Sequence, residues 1–120
     1  MKCLRLYFEQ EENSSAIYTI GLKSDYGTIE YDDIFISGRI AVIQFGITTN
    51  KEIPANSKFI TNMPSNYRAN SSGSFVNLIS NNTTSPKTYK TYYSGKGTLS
   101  NVEVIPNSTT IRGTIVYLLQ

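Results

Sequence analysis

The chain has no histidine, no tryptophan, a single cysteine and no marked excess of either charge. Each shortage excludes some chemistry. Without His there is no His-based triad, no His₂ or His₃ zinc site and no histidine pH switch. Cys3 alone makes neither an internal disulfide nor a thiolate cluster, and it reads as a small apolar strand residue. Eleven basic and nine acidic residues leave a net charge of +2, which is no electrostatic footprint for nucleic acid. No run of eighteen apolar residues is present, so no membrane insertion is expected. The start Met1-Lys2-Cys3-Leu4-Arg5 has no apolar core of a secretory signal. No cofactor is expected.

What is present points one way. A length of 120 residues suits one domain with one core, spanning 1–120. Ser, Thr and Asn make up about a third of the chain, and Ile, Val, Thr, Tyr and Phe more than a third. The second group fits a pleated, half-buried surface. No window keeps apolar residues at i, i+3, i+4 and i+7 without Gly, Pro or an Asn/Ser/Thr cluster, so no long helix is expected.

Strands are easier to place. Segments 2–8 and 16–22 predict a hairpin with the acidic loop Glu9-Gln10-Glu11-Glu12. Segment 28–36 follows the turn Ser24-Asp25-Tyr26-Gly27, with a break expected near Asp32-Asp33. Segment 39–48 is the strongest strand. Ala41, Ile43, Phe45 and Ile47 point one way and Ile40, Val42 and Gln44 the other, which predicts cover on both faces. Further strands are expected over 58–61, 74–80, 88–94, 99–105 and 111–119, the last with Ile111, Gly113, Ile115, Tyr117 and Leu119 on one face. About eight to ten short strands at near ten-residue spacing predict an all-β, antiparallel β-sandwich or jelly roll.

Composition and periodicity stop at that fold class; function enters through a resemblance. Ser37-Gly38-Arg39-Ile40-Ala41-Val42-Ile43-Gln44-Phe45 is followed by Ile53-Pro54-Ala55 and then by Met63-Pro64-Ser65-Asn66-Tyr67-Arg68. Gly97-Thr98-Leu99 and a closing Ile111-Arg112-Gly113-Thr114-Ile115-Val116-Tyr117 come later. This order resembles the C-terminal head domains of phage tail fibre and baseplate receptor-binding proteins of low-GC Gram-positive hosts. It covers about residues 27 to 117. Ala69 stands where the family usually has proline, the usual Trp is absent, and residues 1–25 do not match. That stretch reads as an extra hairpin or the end of a neck region. The abundance of Asn, Ile, Lys, Tyr and Phe, residues of AT-rich codons, agrees with such a source.

The resemblance implies a non-enzymatic adhesin on the virion tail tip or fibre, made in the bacterial cytoplasm. Its partners would be a host cell-wall saccharide, other virion tail proteins and two further copies in a homotrimer. Ile40, Val42 and Phe45, with Ile115, Val116, Leu118 and Leu119, supply more apolar strand than one small sandwich uses, and the excess suits a three-fold axis. The alternatives are a purely structural virion or baseplate module that binds protein, and a carbohydrate-binding module of a cellular protein.

Saccharides are held by aromatic rings stacked on the sugar face and by amide and charged groups on the hydroxyls. The first candidate is therefore Tyr89, Tyr92 and Tyr93 with the loop residues Asn81 and Asn82. Alternation puts Tyr89 and Tyr93 on one face and Tyr92 on the other. The bland reading of this stretch is an ordinary strand with cross-strand Tyr–Thr pairs. Tyr67 and Arg68 of the turn are a second candidate, against a corner of the sandwich. Asp32 and Asp33 do not form a catalytic or metal pair, because adjacent strand residues point to opposite faces unless a bulge intervenes.

Overall fold

The computed structural model describes residues 15–63, 73–80, 86–95 and 97–119. Among these the chain is all strand and turn. The strands are β1 (Ser15–Thr19), β2 (Gly27–Ser37), β3 (Ile40–Thr49), β4 (Lys58–Ile60), β5 (Ser74–Ser80), β6 (Thr88–Tyr93), β7 (Leu99–Asn101) and β8 (Thr110–Leu118). They form one antiparallel sheet in the order β1-β2-β3-β8-β5-β6-β7-β4. The expected all-β antiparallel class is therefore what the chain adopts. The sheet curls into a half-barrel, so one core is built from the inward residues of seven strands, β2 to β8.

β3 and β8 form the spine. Ala41, Ile43, Phe45 and Ile47 are fully buried, as are Ile111 and Ile115 on β8. The pairs Ile43↔Ile115 and Ile47↔Ile111 lie side by side on the inner face. Each such side chain taken fully out of water contributes about 1.5–3 kcal/mol. Between these rows Gly113 faces inward, and a Cβ there would collide with Leu78. β2 and β3 join through the two-residue turn Gly38-Arg39, where Gly38 has φ 60°, as the first position of a type II′ hairpin turn demands. Arg39 then ties the turn to the end of β8, its guanidinium donating to the Leu119 carbonyl at 2.9 Å.

β2 departs from strict alternation. Its register against β3 shifts between Ile29 and Tyr31, and Glu30 is the extra residue. Glu30 and Tyr31 both face out, and from Asp32 onward alternation resumes with Ile34 buried. The break expected near Asp32-Asp33 falls two to three residues earlier. The two aspartates still point to opposite faces, Asp32 half-buried and Asp33 exposed.

Two asparagines hold the rims. Asn62, just after the edge strand β4, donates to the Gly21 carbonyl at 2.9 Å and accepts from the Lys23 amide at 3.0 Å. It thereby links the β4 edge to the β1–β2 connection and draws the curled sheet together. Asn101 is buried at the end of β7. Its side chain accepts from the Ser57 amide at 2.9 Å and donates to the carbonyls of Pro54 at 2.8 Å and Glu103 at 2.7 Å. This tether ends the strand that was expected to reach residue 105. Val102 and Val104 turn outward, and Ile105 returns to bridge Ile53.

The two faces of β3 differ. Among the described residues it is covered on its inner side only. Ile40 is 47% exposed, and on β8 Val116 is 63% and Leu118 54% exposed. The registers Ile17↔Phe35, Phe35↔Val42 and Val42↔Val116 make one apolar row across four adjacent strands. Of the residues expected at a three-fold axis, Phe45 and Ile115 instead lie in the core and Leu119 packs against it, because alternation aims them inward. The segment 2–8, Cys3, the Glu9–Glu12 loop and the turn from Pro64 to Arg68 lie outside the described residues.

Candidate functional site

β6 presents Tyr89, Thr91 and Tyr93 inward and Thr88, Lys90 and Tyr92 outward. The predicted split of the tyrosines is what the strand shows, and it decides which rings meet solvent. Tyr93 is 1% and Tyr89 4% exposed, so neither offers a ring face to a sugar. Tyr93 packs against Tyr117 with ring centroids 5.4 Å apart. Burial pushes the Tyr93 phenol above its usual pKa, and contact with Tyr117 pulls it part of the way back. By hydrogen-bond geometry the Tyr93 hydroxyl is nonetheless buried without a partner.

Tyr92 is the outward member. It sits directly across from Phe75 of β5, edge to ring at 5.3 Å. Phe75 is 67% exposed, an unusual position for a bare aromatic ring. Lys90 stands over the Phe75 ring at 6.0 Å, and Asn77 lies opposite Lys90 on the same face. The result is an exposed aromatic pair beside an amide and an ammonium. Asn81, Asn82, Tyr67 and Arg68 lie outside the described residues, so Tyr92 is the one solvent-facing member of the predicted set among those described.

A second constellation was missed from sequence. β5 pairs with β8 only through Ile79↔Arg112 and Ser80↔Ile111, and beyond that point the two strands separate. A groove of about 410 Å³ opens there, lined by Tyr31, Gln44, Asn77, Ile79, Arg112 and Thr114. The Arg112 guanidinium sits 6.0 Å from the Tyr31 ring centroid. Tyr31 reaches this place because the bulge at Glu30 turns it outward and because Gly46 beneath has no side chain. A Cβ on Gly46 would come within 2.7 Å of Tyr31 Cε1. The odd spacing from Ile29 to Ile34, two residues that both suit a core, was the available sign of the bulge. A smaller hollow of about 220 Å³, lined by Lys23, Asp25, Tyr26 and Lys58 among others, lies at the seam that Asn62 ties.

The curled antiparallel sheet, with its core on one face and aromatic and polar groups on the other, is a β-sandwich-like fold. No family model and no curated protein matches the chain. Among solved structures it is similar to the receptor binding protein (gp15) of Listeria phage PSA. The TM-score is 0.70 at 15% sequence identity, covering 99% of this chain and 74% of that one. The likeness is one of fold.

Proposed function

We propose that the chain is a receptor-binding domain of a phage tail, a non-enzymatic adhesin that attaches the virion to a saccharide of the host cell surface. The observation that carries this reading is the shared fold with a phage receptor binding protein over nearly the whole chain. The outer face supports it. Phe75 and Tyr92 are exposed rings of the kind that stack on sugars, with Asn77 and Lys90 placed for hydroxyls.

The same reading makes the domain a homotrimer among other tail proteins. The outward row Ile17, Phe35, Val42 and Val116, with Ile40 and Leu118 beside it, is apolar surface that a subunit contact would cover. Weak single sites would then gain avidity from three copies per head and many heads per tail. That apolar row also suits a second reading, a structural virion module that binds only protein.

Light scattering and cell binding separate the two. A trimer mass, with a fluorescently labelled chain that decorates intact cells of at least one low-GC Gram-positive species, is the expected result. A trimer that decorates no cell in a broad panel favours the structural module. A monomer that decorates none contradicts the adhesin.

A further inference from the structure

We propose that the groove between β3, β8 and β5 is a subsite for a sugar unit carrying an anionic group, a uronic carboxylate or a phosphate. This rests on the glycan-binding reading above and adds a place and a charge to it. Three features of the groove carry it.

The first is a ring held in place. Tyr31 is turned outward by the bulge at Glu30 and seated over Gly46, which leaves it 37% exposed at the groove wall. An aromatic ring so seated is a platform for the apolar face of a pyranose.

The second is a cation with no ion-pair partner among the described residues. Arg112 is the one charged residue lining the groove. Glu30, on the same outer face, accepts from the Thr48 hydroxyl, and Asp33 lies opposite Gln44 one strand further on. Among the described residues Arg112 makes no ion pair, and its guanidinium lies over the Tyr31 ring. A guanidinium beside an aromatic platform selects a carboxylate or phosphate by charge-assisted, bidentate hydrogen bonding.

The third is the supply of neutral polar groups. Gln44, Asn77 and Thr114 offer amide and hydroxyl partners around the same hollow. Asn77 also belongs to the exposed face of β5 that carries Phe75 and Ile79. Phe75 and Ile79 are four residues apart on one strand face, roughly 13 Å at the usual rise. A glycan laid along β5 therefore reaches the Phe75–Tyr92 pair at one end and the Arg112 groove at the other. Lys90 adds a second positive charge along that track.

The test is a glycan panel in which neutral hexose oligosaccharides stand beside matched members bearing a 6-phosphate or a uronic carboxylate. The full chain should bind at least one anionic series tenfold or more tighter than its neutral counterpart. R112Q should remove that preference while keeping the melting temperature. Y31A should weaken both series, and Y31F, which keeps the ring, should restore them. If the chain binds glycans but R112Q leaves the charge preference unchanged, or if only Y92A abolishes binding, the groove is not the site and the adhesin reading survives. If the chain binds no member and no bacterial cell, the adhesin reading fails and the subsite with it. Arms with the phosphate and the carboxylate series distinguish the two anions.

Discussion

The ring of Tyr31 lies over Gly46, its cross-strand partner, so closely that a single methyl on Gly46 would reach within 2.7 Å of it. The same methyl would come within 3.4 Å of Arg112 Cγ. G46A should therefore lift Tyr31 from the sheet and separate it from Arg112. Because a half-exposed ring can swing aside, the stability cost should stay near 1 kcal/mol, at the low end for overpacking. The sensitive readout is NMR. Arg112 side-chain protons should lose their ring-current shift in G46A; an unchanged shift would mean that the glycine does not seat the ring.

Gly113 has a different neighbour and a larger expected penalty. A Cβ there meets Leu78, which is fully buried, with Phe45 at 3.7 Å behind. Neither can move into solvent. G113A should cost about 1–3 kcal/mol by the usual toll of overpacking. Urea denaturation measures it, and pairing G113A with L78V should recover part of the loss.

Asn101 carries the heaviest hydrogen-bond load in the described structure. Replacing it with Ala leaves the Ser57 amide and the Pro54 and Glu103 carbonyls without this partner. An unsatisfied buried group costs about 1–3 kcal/mol, so N101A should lower stability by at least 2 kcal/mol. Amide exchange should localise the damage. The Ser57 amide should lose protection first, while Ile43 in the spine should keep it.

Tyr93 gives an alkaline signature. Burial raises its pKa in the folded state above the usual value near 10, so the folded protein resists forming the phenolate. The stability linked to this group is complete below pH 10 and is lost as pH rises through the raised folded value. Y93F removes both the titration and a hydroxyl that has no hydrogen bond. The variant should be as stable as the parent at pH 7 or slightly more so. Above pH 10 it should unfold at higher urea than the parent. Equal loss in both proteins would assign the alkaline transition to other groups.

The roles of these residues were unequally legible in the sequence. β3 and β8 were readable because each alternates without interruption, and Ala41 to Ile47 and Ile111 to Tyr117 face inward as their spacing implies. β6 was readable as two faces. Which face lay inside needed one more clue, and Lys90 supplies it, since a lysine shares the solvent side with Tyr92. The bulge at Glu30 was hidden by a misleading pattern. Ile29, Tyr31, Asp33 and Phe35 alternate perfectly in sequence, yet Ile29 faces the core and the other three face solvent. The groove stayed invisible for the same reason, because it depends on that bulge and on the parting of β5 from β8. Apolar residues on both faces of β3 implied cover on both sides, but periodicity does not say whether the second cover comes from the same chain.

In the proposed function the outer face attaches a virion to sugar. Its most direct test is sedimentation of the labelled chain with purified cell walls from low-GC Gram-positive bacteria, before and after periodate oxidation of the wall glycans. The account predicts binding to the walls of at least one species, lost after periodate and unaffected by prior protease treatment of the walls. Binding that survives periodate and disappears after protease would contradict it and make the partner a protein.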